Sequence, residues 1–215
     1  MRKRQEQLTA ILTREYGNGG AYPNSLTWYD LDIAGLKGEV TRTYKRLGGI
    51  LERPPLSFGN WDVSLGNFIV ELDESQHFNR YRAITLNSFV YHVVKGFDVM
   101  EYSRYCEDYE DICLKKMVWG KYWTSTSSEI LFGAPGVIGK MESIGSPRWR
   151  QRAFYDYLRD VYAIINRIPL IRISVYDKVN PGGLEKSVND VLLGCGEEYS
   201  DALVEFIEQK LQRVL

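Results

Sequence analysis

The stretch Asn60-Trp-Asp-Val-Ser-Leu-Gly-Asn-Phe-Ile-Val-Glu-Leu-Asp-Glu-Ser-Gln-His77 reads as a β-hairpin that carries more carboxylates than a hairpin needs. Two runs of alternating, β-prone residues, Trp61 to Leu65 and Phe68 to Leu72, flank Gly66-Asn67, a pair suited to a two-residue hairpin turn. The turn fixes the register. If Leu65 faces Phe68, then Ser64 faces Ile69, Val63 faces Val70 and Asp62 faces Glu71, with opposed Cβ atoms roughly 5 Å apart. By the period of two, Asp73 points to the same side as Glu71, so three carboxylates are expected at one end of the hairpin.

Like charges opposed on a sheet repel, and burial raises their pKa values unless a cation neutralises them. A hard divalent ion is the natural remedy. Mg²⁺, or Mn²⁺ in its place, suits one or two protein carboxylates completed by water and phosphate oxygens.

An Asp early in one strand followed by an acidic-x-polar pattern on the next resembles the PD-(D/E)XK nuclease superfamily. More narrowly, Val70-Glu71-Leu72-Asp73-Glu74-Ser75-Gln76-His77-Phe78 is similar to the Glu-x-Asp-x-x-x-His strand end of the very-short-patch-repair-like endonucleases and their uncharacterised relatives. The resemblance implies a restriction-endonuclease-like α/β fold, a mixed sheet flanked by helices. It also implies a metal-dependent phosphodiesterase in which Asp62 and Glu71 hold the ion, with Asp73, Gln76 and His77 at the edge of the site. Asp73 is a third metal candidate. One departure stands out: the superfamily's lysine, two residues after the acid, is Asp73 here. Gln76, His77 or a lysine from elsewhere would have to take its part. Glu74-Ser75-Gln76 is a second triplet of the same kind, but the hairpin register favours Glu71.

The chain has 215 residues, enough for one sizeable domain with a substantial core. Its formal net charge is −1, so bulk electrostatics does not favour a polyanion, and a nucleic-acid surface must be a local patch. Three cysteines, Cys106, Cys113 and Cys195, fit a reducing compartment better than a disulfide framework. No run of roughly 18 apolar residues is present, and the charged Met1 to Gln7 lacks the apolar run of a signal peptide. A cytoplasmic protein with no membrane partner is expected. The abundant tyrosines and tryptophans would either stack bases or fill a core.

Around the hairpin, Leu8, Ile11, Leu12 and Tyr16 predict an N-terminal helix over 4–16, ended by Gly17-Asn18-Gly19-Gly20. Residues 21–33 read as a loop. Leu36, Val40, Tyr44 and Leu47 predict a helix over 36–47. Within it Glu39 is the residue that the resemblance would bring toward the metal, while a plain helix-start Glu explains it equally well. Gly49 to Leu51 is expected to begin a first strand before Pro54-Pro55, giving a helix followed by a three-stranded meander. Residues 78–94 fit either strand or helix. Because the resemblance is silent over 78–147, that aromatic-rich segment reads as an insertion between core segments 36–77 and 148–195.

Two motifs inside it are weak. Cys106 and Cys113 lack the spacing and partner ligands of a zinc site. Gly139-Lys140 is followed by Met141, not by the Ser or Thr that a phosphate loop uses to hold Mg²⁺.

Arg148-Trp-Arg-Gln-Arg152 opens a strong helix with Phe154, Leu158, Val161 and Ile165 along one face. Arg148, Arg150 and Arg152 are candidates to grip phosphates, against the reading of a solvated charged turn. Gln151-x-x-x-Tyr155 resembles the Gln-x-x-x-Tyr signature of the superfamily's exonuclease branch, which adds Gln151. Leu170 to Tyr176 alternates and predicts a strand in the same sheet. Leu184 to Leu193 and Asp201 to Leu215 predict closing helices separated by Gly194-Cys195-Gly196, the last closing the domain over 196–215.

The sequence therefore points to a Mg²⁺- or Mn²⁺-dependent endonuclease acting on nucleic acid, DNA before RNA, with a homodimer left open. A nuclease-fold module that binds nucleic acid or a protein without cutting is the second reading, and the missing lysine is its evidence. A carboxylate-pair glycosidase is the third, requiring an acid and a nucleophile or base about 5 to 9.5 Å apart.

Overall fold

The computed structural model describes residues 2–116, 122–141, 144–180, 183–194 and 197–215. In chain order the elements are α1 (Arg2–Tyr16), α2 (Trp28–Ile33), α3 (Lys37–Arg46), β1 (Val63–Leu65), β2 (Phe68–Asp73), α4 (Arg80–Leu86), a 3₁₀ turn (Phe89–His92), α5 (Val99–Asp108), α6 (Glu110–Lys115) and α7 (Thr126–Phe132). They continue with α8 (Pro147–Asn166), β3 (Leu170–Ser174), β4 (Lys178–Val179), β5 (Lys186–Ser187), α9 (Val188–Gly194) and α10 (Glu197–Val214).

The hairpin forms in the expected register: Leu65 opposes Phe68, Ser64 opposes Ile69 and Val63 opposes Val70. On its other edge β2 pairs in parallel with β3, with Glu71 opposite Arg172 and Asp73 opposite Ser174. The result is a small mixed sheet of order β1-β2-β3, and β4 and β5 make a separate two-stranded ribbon.

The alternation of the strands divides the sheet into two chemically different faces. Val63, Leu65, Phe68, Val70 and Leu72, with Ile171 and Ile173, join Leu8, Ile11, Leu12, Val191, Leu203 and Ile207 from α1, α9 and α10 in one apolar cluster. The opposite face begins apolar, with Ile69 and Leu170 in the larger cluster, and then turns ionic at Glu71, Asp73 and Arg172, all buried. Helix α8 covers that face. It starts at Pro147, a residue pre-set for a first helical turn, and Ser146 caps it by accepting from the Trp149 N–H at 3.2 Å. Trp149, Phe154, Tyr157, Leu158 and Val161 bury its apolar side among Tyr44, Tyr91, Phe97 and Trp123.

Four expectations change. Gly49 to Leu51 forms no strand. Its backbone is held singly, Ile50 N–H by the Leu131 carbonyl and Leu51 N–H by the Tyr44 hydroxyl, so a hairpin replaces the meander. The aromatic stretch 21–33 contains α2, set by a reciprocal Thr27–Asp30 capping box. The late helix starts only at Val188, because Lys186–Ser187 pair with Lys178–Val179 first. The C-terminal helix begins at Glu197, while Cys195 and Gly196 of the expected break lie outside the described residues.

Segment 78–94 resolves into α4 and the 3₁₀ turn, and Phe78, Tyr81, Leu86, Val90, Phe97 and Tyr102 belong to the same cluster as the α8 core. Among the described residues no helix is long and apolar enough to cross a membrane.

Candidate functional site

A cleft of about 400 Å³ opens where the hairpin end meets the polar side of α8. The hairpin and the turn after it contribute Asp62, Glu71, Glu74 and His77, and α8 contributes Arg148, Gln151, Arg152, Tyr155, Asp156 and Arg159. These α8 positions are spaced by three and four, so one stripe of the helix faces the carboxylates while the other faces the core.

The two acids are locked by each other's backbone. Asp62 N–H donates to Glu71 Oε1 at 3.0 Å, and Leu72 N–H donates to Asp62 Oδ2 at 2.9 Å. This cross-strand latch sets both carboxylates without side-chain freedom, as the opposed register requires. Burial pushes the Glu71 carboxyl up to about 8; Arg159 opposes the shift and Asp62 adds to it. Asp62 is also raised by burial, partly offset by the Leu72 N–H. The protein alone thus under-compensates this pair, which is the electrostatic condition of a cation site.

Arg159 is the nearest cation. Its Nε lies 3.2 Å from Glu71 Oε2, while its other nitrogens reach Asp156 Oδ1 at 3.3 Å and the Asn60 carbonyl at 3.1 Å. The Nε contact lacks hydrogen-bond alignment, so it is a charge contact only.

Asp73 lies on the same side of β2 but is drawn away from the cleft. Arg172 NH1 donates to both its oxygens at 2.9 and 3.0 Å. Arg172, fully buried, also donates to Asp160 Oδ1 at 2.6 Å and to the Asp156 carbonyl at 3.0 Å. Arg82 and Tyr91 complete the network on Asp160 Oδ2 at 3.0 and 2.6 Å. The expected convergence of three acids is therefore corrected to two, because a buried guanidinium satisfies the third.

His77 bridges cleft and network. Its Nδ1 lies 2.8 Å from Asp156 Oδ2 and 3.1 Å from Asp73 Oδ1. Although burial favours a neutral Asp156, His77, Arg172 and Arg82 hold its carboxyl well below the usual range. With Nδ1 so tied, Nε2 is the nitrogen left to exchange a proton with anything in the cleft.

Two donor sets invite a metal. Asp73, His77 and Asp156 offer atoms within 4.8 Å of one another, but Arg172 already engages Asp73 twice, so that group is charge-balanced as it stands. Asp62 and Glu71 fit better: hard oxygen donors lining the cleft, each engaged oxygen keeping a second lone pair.

The remaining candidates separate. Gln151 Nε2 donates to the Tyr155 hydroxyl at 3.0 Å and to Ser127 Oγ at 3.3 Å, placing both residues of the Gln-x-x-x-Tyr pattern in the cleft. Arg148 and Arg152 line it, the latter held by Gln76 Oε1 at 2.7 Å. Arg150 does not: it turns to the Ile144 carbonyl and lies over the Tyr81 ring. Glu39 is buried elsewhere, accepting from Arg42 at 2.5 Å and Ser88 at 2.6 Å, and it does not line the cleft. Gln76 itself faces a neighbouring groove. Sequence reading missed Arg159 and Asp156, although both continue the spacing that begins at Arg148 and Gln151. It missed Arg172 because the strand's alternation alone does not reveal a cation beneath α8.

Fold and cleft together define a mixed α/β protein with a small three-stranded sheet and an acid–arginine cleft at its edge. The sequence matches the family of unknown function DUF7255 over residues 42–194, and the chain belongs to that family. The match contains every α8 cleft residue, the hairpin and the intervening segment 78–147. No curated protein and no solved structure matches it.

Proposed function

We propose that the protein is a divalent-metal-dependent phosphodiesterase acting on nucleic acid, with a restriction-endonuclease-like core. One observation carries the reading: Asp62 and Glu71, latched side by side from consecutive strands and under-compensated by protein cations, face three arginines across one cleft. A site with two acids calls for a cation, and one with three guanidiniums calls for a phosphate; a phosphodiester with its ion supplies both. The order β2, α8, parallel β3, with Gln151 and Tyr155 on the helix, supports the likeness to the nuclease superfamily.

In this reading Asp62 and Glu71 hold Mg²⁺ or Mn²⁺. An ion held there would supply polarisation of a phosphoryl oxygen and a lowered pKa for the attacking water. Arg148 and Arg152 bind and orient the diester. Arg159, already in contact with Glu71, takes the place of the absent motif lysine by stabilising charge that develops on the phosphoryl group. His77, its Nδ1 fixed by Asp156, takes or returns a proton at Nε2.

A second reading has an observation of its own. Arg159 at 3.2 Å from Glu71 already supplies one positive charge, as in a module that binds nucleic acid without cutting it. The two are separated by incubating plasmid, linear and single-stranded DNA, and RNA, with Mg²⁺, Mn²⁺ or EDTA. Metal-dependent cleavage lost in both Asp62→Asn and Glu71→Gln supports the enzyme. Binding without cleavage in every metal overturns it in favour of the module.

A further inference from the structure

Beyond the cleft, the same end of the sheet carries a second depression that the phosphodiesterase reading does not use. It measures about 500 Å³, larger than the cleft, and lies past the carboxyl ends of the parallel strands β2 and β3, where open α/β sheets bind ligands. Glu74 lines both, so the two depressions adjoin at one residue.

Its lining is basic and aromatic. Lys116 Nζ donates to Ser75 Oγ at 2.6 Å, which holds the ammonium over the turn that follows β2. Lys178 enters from the other side, paired only loosely with the exposed Glu185 at 3.9 Å. Tyr109 and Tyr176 line the same groove and stack on each other, ring centroids 3.6 Å apart and planes within 15°. The one carboxylate of the lining among the described residues, Glu74, is paired with Arg4 at 3.1 Å. The groove therefore has net positive charge beside a flat apolar wall, with a volume suited to one nucleotide.

We propose that this groove binds the nucleotide of a single-stranded segment leaving the cleft, its phosphate on Lys116 and Lys178 and its base against the Tyr109–Tyr176 pair. The assignment rests on the cleft binding nucleic acid, and it names the polynucleotide strand as the ligand class. Lysines carrying phosphate next to tyrosines carrying bases is how single strands are held without sequence preference. A nucleotide here would also extend the contact surface from α8 across the turn at residues 74–76.

The test is fluorescence anisotropy of a labelled 12-nucleotide single-stranded DNA in EDTA over a series of NaCl concentrations, with plasmid cutting in Mg²⁺ run in parallel. Lys116→Ala combined with Lys178→Ala removes two phosphate contacts. It should lower the slope of log affinity against log salt by about 1.4, at about 0.7 per contact on a single strand. Tyr109→Ala should weaken binding about tenfold with little change in slope. Both lysines are exposed, so their replacement leaves the fold intact, and the exposed reversal Lys178→Glu serves as the second variant.

Loss of affinity in these variants supports the groove, whether or not the wild type cuts. Wild-type binding and cutting with unchanged affinity and salt slope in all variants overturns the groove and leaves the cleft reading standing. A wild type that neither binds nor cuts overturns both.

Discussion

Replacing Glu71 by Gln should flatten the pH dependence of folding stability. Glu71 is buried, and its carboxyl moves from 4.5 in the unfolded chain to about 8 in the folded protein. The native state therefore holds this proton more tightly than the unfolded state does. Stability from this group is full below pH about 4.5 and is lost as pH rises toward 8. At about 1.4 kcal/mol per pH unit, tapering close to each pKa, the loss between pH 5 and pH 8 comes to about 3.5 kcal/mol, a large share of a typical folding free energy of about 5–15 kcal/mol.

The assay is urea denaturation at pH 5 and pH 8 in EDTA, on wild type and Glu71→Gln. Gln is isosteric and can still accept the Asp62 N–H, so the variant should lose about 3.5 kcal/mol less than wild type across that interval. Millimolar Mg²⁺ should restore much of the wild-type loss at pH 8 and none in the variant, since the ion would stabilise the ionised carboxylate. Parallel curves for the two proteins in EDTA would refute the claim that Glu71 is an under-compensated buried acid. A wild type indifferent to Mg²⁺ at pH 8 would refute the ion site.

Two other perturbations reach different parts of the same machinery. Arg172→Met leaves Asp73 and Asp160 buried without their main cation, and should cost about 3–5 kcal/mol in chemical denaturation; a loss under 1 kcal/mol would mean the network is not a structural unit. His77→Gln should lower turnover about 100-fold or more while DNA affinity measured in EDTA stays within twofold. Equal loss of both would make His77 a structural bridge to Asp156, not a proton carrier.

How far the sequence reached is clearest at the hairpin. Gly66-Asn67 and the alternation around it are local signals, and local signals fix register; Asp62 beside Glu71 follows from them. The helix over 147–166 and the strand at 170–174 were equally legible, since each carries a sustained period of its own. Gly49 to Leu51 was misread because a short β-prone run is a strand only if a neighbouring strand accepts its hydrogen bonds, and here a tyrosine hydroxyl and a helix-end carbonyl do so.

What the sequence determined by itself was the pairing of two acids across a turn and the apolar face of a long helix, because spacing along one element decides which side chains share a face. What only the tertiary structure decided was the charge on that face. Asp73 faces the same way as Glu71, yet Arg172 on the adjacent parallel strand claims it, while Arg159 from α8 reaches Glu71. Arg172 lies 99 positions from Asp73 in the chain, and Arg159 approaches from a separate helix; no local period encodes such distances. The division of one acidic strand end into an ionic core and an acid pair that lines the cleft is thus set by packing.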